Sequence, residues 1–178
     1  MTFTRRLVLA LLMTCASTLA SASEPVRSAG HFGLGIGSGT LSNGIDAKYF
    51  LDRGSSLQFN LGELSGHGWR HRWHHFDDGV GFGVDYLLEM PDITRAGRAF
   101  DLGWSIGGGL ALGFGEDWDD HHDGRDDTGF AAAFVLGLEL NFIPAPFDVV
   151  IEWRPSLLFV PDVDFDAIDF TAHVRFYF

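Results

Sequence analysis

Six of the eight histidines in this 178-residue chain fall in two short stretches. The stretch 65–78 carries His67, His71, His74 and His75, interleaved with Trp69, Arg70, Arg72, Trp73 and Phe76 and followed by Asp77 and Asp78. The stretch 115–128 carries His121, His122 and Asp123 among Glu116, Asp117, Asp119, Asp120, Asp126 and Asp127. Neutral imidazole is a common ligand for zinc, copper and nickel, and carboxylates complete such sites. A helical turn in the first stretch would line His67, His71 and either His74 or His75 along one side. Asp119, His121 and Asp123-Gly124 imitate a calcium loop only loosely, because a histidine stands where an oxygen is wanted and no glutamate closes the motif. The same composition also suits two charged, hydrated loops that bind nothing. Trp69, Arg70, Arg72 and Trp73 offer a further chemistry: arginine on phosphate and tryptophan at an interface, as lipopolysaccharide would require, or an ordinary aromatic girdle. Ser65, Ser105, Ser156, His67 and His173 could in principle serve nucleophilic catalysis, yet they show no recognisable Ser/His/acid spacing.

The elements that must position these residues are strands. Phe100, Leu102, Trp104, Ile106, Leu110, Leu112 and Phe114 alternate with Asp101, Gly103, Ser105, Gly107, Gly109, Ala111 and Gly113. The same period of two runs through Val80–Leu88, Phe130–Leu140 and Phe32–Ile36, and no helical period competes with it beyond the first residues. Eight segments are expected, at about 30–40, 44–52, 55–64, 79–90, 99–114, 129–142, 147–160 and 168–178. Tight turns are expected at Asp52-Arg53-Gly54 and Pro144-Ala145-Pro146, with a modest one at 91–97. Longer polar connections at 65–78, 115–128 and 161–167 alternate with these, and the connection at 41–43 is short for its side. Pro155 falls inside the seventh segment, where it cannot donate a ladder hydrogen bond, so a bulge or break is expected there.

The amino terminus is set apart from this pattern. Arg5 and Arg6 precede an apolar run over 7–13, and Ala20-Ser21-Ala22 fits a small-residue cleavage site. We expect 1–22 to be a signal peptide and 23–178 the single mature domain, 156 of the 178 residues. Cys15, the only cysteine, then lies in the leader, preceded by Thr14 where a lipoprotein signal wants a smaller residue. Two of the 12 Lys and Arg go with the leader, which leaves 10 against 24 Asp and Glu, a formal −14. Such a balance argues against nucleic acid as a partner and against simple attraction to an anionic surface.

Alternation alone does not say which face points inward; size does. An eight-stranded barrel has an interior just wide enough for side chains to fill. Phe, Leu and Trp at nearly every inward position would overfill it, whereas Gly, Ala, Ser and a few charged residues fit. The expected fold is therefore all-β, an eight-stranded antiparallel up-and-down transmembrane barrel with its apolar face toward lipid. The expected location is the outer membrane of a Gram-negative bacterium, with both termini on the periplasmic side and the long connections outside. Phe170, Ala172, Val174, Phe176 and Phe178 alternate to a final aromatic residue, which resembles the carboxyl-terminal strand signature that barrel assembly machinery recognises. That machinery, membrane lipid and lipopolysaccharide are the expected partners, and a monomer is expected.

The runs GIDAKYFLDRGSSLQFNLG (44–62), VDYLLEMP (84–91), GLELNFIPAPFDVVIEWRPSLLFVPDVDFD (137–166) and HVRFYF (173–178) resemble an uncharacterised family of small bacterial outer-membrane barrels. The resemblance covers most of the mature chain and implies an architecture similar to the OmpA and OmpX types. It implies no catalytic residue and no cofactor, and the His-rich stretch 65–78 is longer than it would lead one to expect.

With the apolar face outward, the inward positions include Asp46, Lys48, Gln58, Asn60, Asp85, Glu89, Asp101, Glu139, Glu152, Arg154, Asp169, His173 and Arg175. Lys48, Asp85, Asp101, Glu139, Glu152, Arg154, His173 and Arg175 are the expected polar network, since charges in so narrow a space must be paired. A salt-bridged plug is the expectation, with a narrow polar channel as the alternative. The expected function is accordingly non-enzymatic: a filled barrel whose loops bind a divalent metal, lipopolysaccharide or an extracellular ligand. The alternative is a lipid A-modifying acyltransferase or deacylase.

Overall fold

The computed structural model describes residues 26–64, 78–96, 99–116, 126–160 and 163–178. Among the described residues the alternating segments form ten strands and no helix: β1 (Phe32–Ser38), β2 (Ser42–Phe50), β3 (Ser55–Leu64), β4 (Asp78–Ala96), β5 (Phe100–Glu116), β6 (Asp126–Phe142), β7 (Phe147–Trp153), β8 (Ser156–Val160), β9 (Asp164–Asp166) and β10 (Phe170–Tyr177). Strands β7 and β8 are two halves of one stave, and β9 and β10 are two halves of the next. The eight staves pair antiparallel with their sequence neighbours. β1 joins β10 as well as β2, and β5 joins β6, so the sheet closes on itself. Closure pairs the ladder that an open sheet would leave exposed at its edges.

The break expected at Pro155 is present. Arg154 and Pro155 separate β7 from β8, and residues 167–169 interrupt the neighbouring stave beside them. The backbone bridges the gap: Arg154 N–H donates to the Asp169 carbonyl at 2.8 Å, and Phe134 N–H donates to the Pro155 carbonyl at 3.0 Å. Trp153 Nε1 donates to the Ala167 carbonyl at 2.9 Å from the outer side.

Three connections depart from expectation. The turn expected at 91–97 is mostly strand, because β4 runs on to Ala96 and pairs again with β5 after a register irregularity between Met90 and Thr94. Pro91 sits inside that irregularity, where its missing N–H interrupts no regular ladder. The β5–β6 hairpin stays in register as far as Glu116↔Asp126, which shortens the connection expected at 115–128. The connection expected at 161–167 contains β9, which pairs with β8. The short turn at Asp52 is as expected, with Asp52 Oδ1 accepting from Gly54 N–H at 2.7 Å and from the Ser55 hydroxyl at 3.0 Å.

The faces divide as the size argument requires. Ile36, Ile45, Leu61, Phe82, Tyr86, Leu110, Leu138, Ile151 and Val174 are exposed on the outside. Lys48, Gln58, Asp85, Glu139, Glu152, Arg154, His173 and Arg175 are buried within. The interior is lopsided. Glycine and alanine supply much of the inner surface of β4, β5 and β6, and long side chains from elsewhere lie against them.

Gly109 shows how little room is left. A Cβ there would run into the Asp85 carboxylate and lie 2.7 Å from the Val84 carbonyl. Gly83, two strand positions from Asp85, has nothing nearer than 3.8 Å to such an atom. We expect Gly83→Ala to stay within about 0.5 kcal/mol of the unaltered barrel. Gly109→Ala should cost roughly 1–3 kcal/mol, as overpacking does. Urea unfolding midpoints of the two refolded variants check this, and equal midpoints would contradict the packing described.

Candidate functional site in the barrel lumen

Strand register builds the lumen from cross-strand pairs. Asp46 on β2 faces Asn60 on β3, and Asn60 Nδ2 donates to Asp46 Oδ2 at 2.6 Å. Gln58 on β3 faces Asp85 on β4, with 3.3 Å between Nε2 and Oδ2. Thr171 on β10 faces Glu152 on β7, and its hydroxyl donates to Oε2 at 3.3 Å. Each pair is local. What joins them are longer side chains that cross the barrel.

Arg154 is the first of these crossings. It sits at the break between β7 and β8 and is 1 % exposed. Its Nη2 lies 2.5 Å from Asp85 Oδ2, its Nε 2.7 Å from Glu152 Oε2, and its Nη1 3.1 Å from the Thr40 hydroxyl. The His173 ring lies between two carboxylates: Nδ1 is 3.2 Å from Asp46 Oδ2 and Nε2 is 2.9 Å from Glu152 Oε2. A ring carrying both protons donates to both. Arg175 Nε lies 3.0 Å from Asp46 Oδ1 and 3.4 Å from Asp148 Oδ1, and its Nη1 donates to Gln58 Oε1 at 2.9 Å. The Tyr177 hydroxyl donates to Asp148 Oδ2 at 2.7 Å. Nearer the end where β1 begins and β10 finishes, Lys48 Nζ lies 2.6 Å from Glu139 Oε1 and 2.8 Å from Glu89 Oε1. Ser56 donates to the same Glu89 oxygen at 2.5 Å.

Both ends of this polar core are stoppered. At the end bearing the β1–β2 turn, Leu41 folds inward onto Ala111, Ala131 and Leu158, with Leu64 packed beside them. At the other end, Val26 packs on Phe50 and Tyr177. Arg27 reaches in beside that cluster, 2.8 Å from Glu139. No protein-family model, curated protein or solved structure matches the chain. The site must therefore be judged on its own geometry. Its charges are engaged with one another inside a filled core, the arrangement expected of a plug.

Of the residues expected to form the network, Lys48, Asp85, Glu139, Glu152, Arg154, His173 and Arg175 are brought together. Asp101 is half-buried near the start of β5, in register with Arg95 and Asn141. Glu152 pairs with Arg154, two residues away in the chain. Glu139 pairs with Lys48 and Arg27. Arg27, Asp148 and Tyr177 join the network from outside the expected set, as do the hydroxyls of Thr40, Ser56 and Thr171. Asp148 and Tyr177 share the inward parity of Glu152 and Arg175, a signal the sequence carries. Arg27 precedes the first strand, so no periodicity marks it. Of the residues that could serve catalysis, Ser105, Ser156 and His173 are buried, and both His173 ring nitrogens face carboxylates.

The residues expected to bind metal, His67, His71, His74, His75, His121, His122 and Asp123, lie outside the described residues, as does the leader 1–22. Among the described residues no group of three or more His, Cys, Asp or Glu is placed to hold a metal ion.

Proposed function

We propose that this chain is an outer-membrane barrel with a sealed lumen, and that it works through the His/Asp-rich connections at one rim. The observation that carries the membrane part is an inside-out distribution of side chains. Large apolar residues such as Ile36, Leu110 and Ile151 are exposed around the outside, while arginine, lysine and carboxylates are buried at the centre. Water would penalise that outer face along its whole circumference, and hydrocarbon would not. The family resemblance and the aromatic carboxyl-terminal pattern point the same way.

A filled lumen moves function to the ends. The facing ends of β3 and β4, and of β5 and β6, lie at the same end of the barrel as Leu41, opposite the end where β1 begins and β10 finishes. In the sequence His67, His71, His74 and His75 stand between β3 and β4, and His121, His122 and Asp123 stand between β5 and β6. Imidazole and carboxylate together select a divalent transition metal, which is the ligand we assign to this rim.

The mature chain should refold into lipid vesicles and fail to remain a dispersed, compact monomer in detergent-free buffer. Calorimetric titration of the refolded barrel with zinc, nickel or copper should show binding, and the combined His71→Ala, His74→Ala, His121→Ala and His122→Ala variant should lose it. A detergent-free compact monomer ends the membrane reading. Absent binding, or binding unchanged in the variant, ends the metal reading.

A further inference from the structure

The segment ahead of β1 makes a contact that barrel closure does not require. Arg27 enters the mouth of the barrel and meets acceptors from three strands. Its Nη1 donates to the Met90 carbonyl at 2.7 Å, and its Nη2 donates to the Trp104 carbonyl at 3.3 Å and to Glu139 Oε2 at 2.8 Å. Its Nε lies 3.2 Å from the same Glu139 oxygen. Glu89 Oε2 at 3.4 Å and Asp92 Oδ1 at 3.8 Å complete the surroundings. Gly103 lies beneath the guanidinium, where a Cβ would collide with it.

We propose that this mouth is a guanidinium-binding site, filled in cis by Arg27, so that the segment ahead of β1 acts as a removable latch. Three observations carry the assignment. The first is charge: the strands bring two fully buried carboxylates, Glu89 and Glu139, against one fully buried ammonium, Lys48. Among the described side chains, the barrel wall by itself is therefore one cation short at this point. The second is shape. Two backbone carbonyls and a carboxylate are met by three different nitrogens of one planar fork, whereas an ammonium would have to serve all of them from a single atom. The third is attachment. Arg27 belongs to no strand, and its segment is held by Val26 against Phe50 and Tyr177 and by the turn at Gly30, whose φ of 84° reverses the chain. Gly30 N–H donates to the Phe50 carbonyl at 2.9 Å, which closes that turn onto β2.

A site so built should accept the same group from another molecule once Arg27 is gone. The test uses the full mature chain, refolded as Arg27→Ala and titrated with ethylguanidinium at millimolar concentrations, far below denaturing ones. Ethylammonium is the control, and the urea unfolding midpoint is the readout. The variant should unfold at lower urea than the unaltered barrel. Ethylguanidinium should restore it saturably, ethylammonium should not, and the unaltered barrel should respond to neither. Linkage requires the restoration to rise with ligand concentration according to its affinity. Should Arg27→Ala not refold, the double variant Arg27→Ala/Glu89→Gln removes one carboxylate together with the cation. It should keep the preference for ethylguanidinium through Glu139 and the two carbonyls. No restoration, equal restoration by ethylammonium, or an equal shift in the unaltered barrel would overturn the assignment. Those outcomes bear on the mouth alone and leave the metal titration at the opposite rim unaffected.

Discussion

Replacing Arg154 with methionine should cost the folded barrel about 3–5 kcal/mol, the range seen when one partner of a buried ion pair is removed. Methionine keeps much of the volume and stays apolar, so the loss comes from the groups left behind. Asp85 and Glu152 both hold Arg154, at 2.5 Å and 2.7 Å, and both are buried. Without Arg154 they would keep weaker donors, Gln58 Nε2 at 3.2–3.3 Å and, for Glu152, Thr171 and His173. The Thr40 hydroxyl also loses its contact with Arg154 at the end of the barrel stoppered by Leu41. Urea unfolding of the refolded variant measures the effect. Arg154→Met combined with Asp85→Asn should recover part of the loss, because a neutral amide in place of the carboxylate leaves one less uncompensated charge. A loss below about 1 kcal/mol would be typical of solvent-exposed pairs and would mean that water reaches Arg154.

Leu138→Arg should cost about 2–4 kcal/mol in a lipid bilayer, the penalty for a lipid-facing cation near the midplane of a barrel. Leu138 is exposed on β6, in register with Trp104 on β5 and Ile151 on β7, and has no polar neighbour on those paired positions. Ile93, also exposed, lies beyond the register irregularity near the end of β4. Ile93→Arg should cost only about 0–1 kcal/mol, because a side chain near the interface reaches water. The contrast separates two surroundings for one fold. In water, both substitutions would place a cation on an exposed surface and change stability by about 0.5 kcal/mol or less. Unfolding from vesicles therefore reads the hydrocarbon directly, and equal, small effects at both positions would overturn the membrane reading.

How much was legible beforehand follows from which forces are local. The period of two is set residue by residue by the backbone, because successive side chains of a strand point to opposite faces. It marked the eight staves and divided the side chains of each into two faces without reference to any partner. It also exposed Pro155 as a misfit, since a missing N–H is a property of that residue alone. The count of staves then decided the faces through volume, a limit that holds for any barrel of this size.

Pairing across the lumen is another matter. Parity says that Glu139 points inward, but its height relative to Lys48 depends on strand stagger, which accumulates around the closed sheet. Only closure set Glu139 beside Lys48 and brought Asp85 to Arg154, which already has Glu152 two residues away in the chain. Strand ends were equally obscure. β4 continues past Pro91 because β5 offers it a partner after a register shift, a tertiary event with no local mark. Arg27 lies in no periodic segment, and what gives it a place is a charge left unbalanced on three separate strands. The sequence by itself therefore determined the strands, their two faces and the closed architecture, since these follow from backbone geometry and side-chain volume. The tertiary structure alone decided which charge meets which and what fills the mouth, since those depend on distances between segments far apart in the chain.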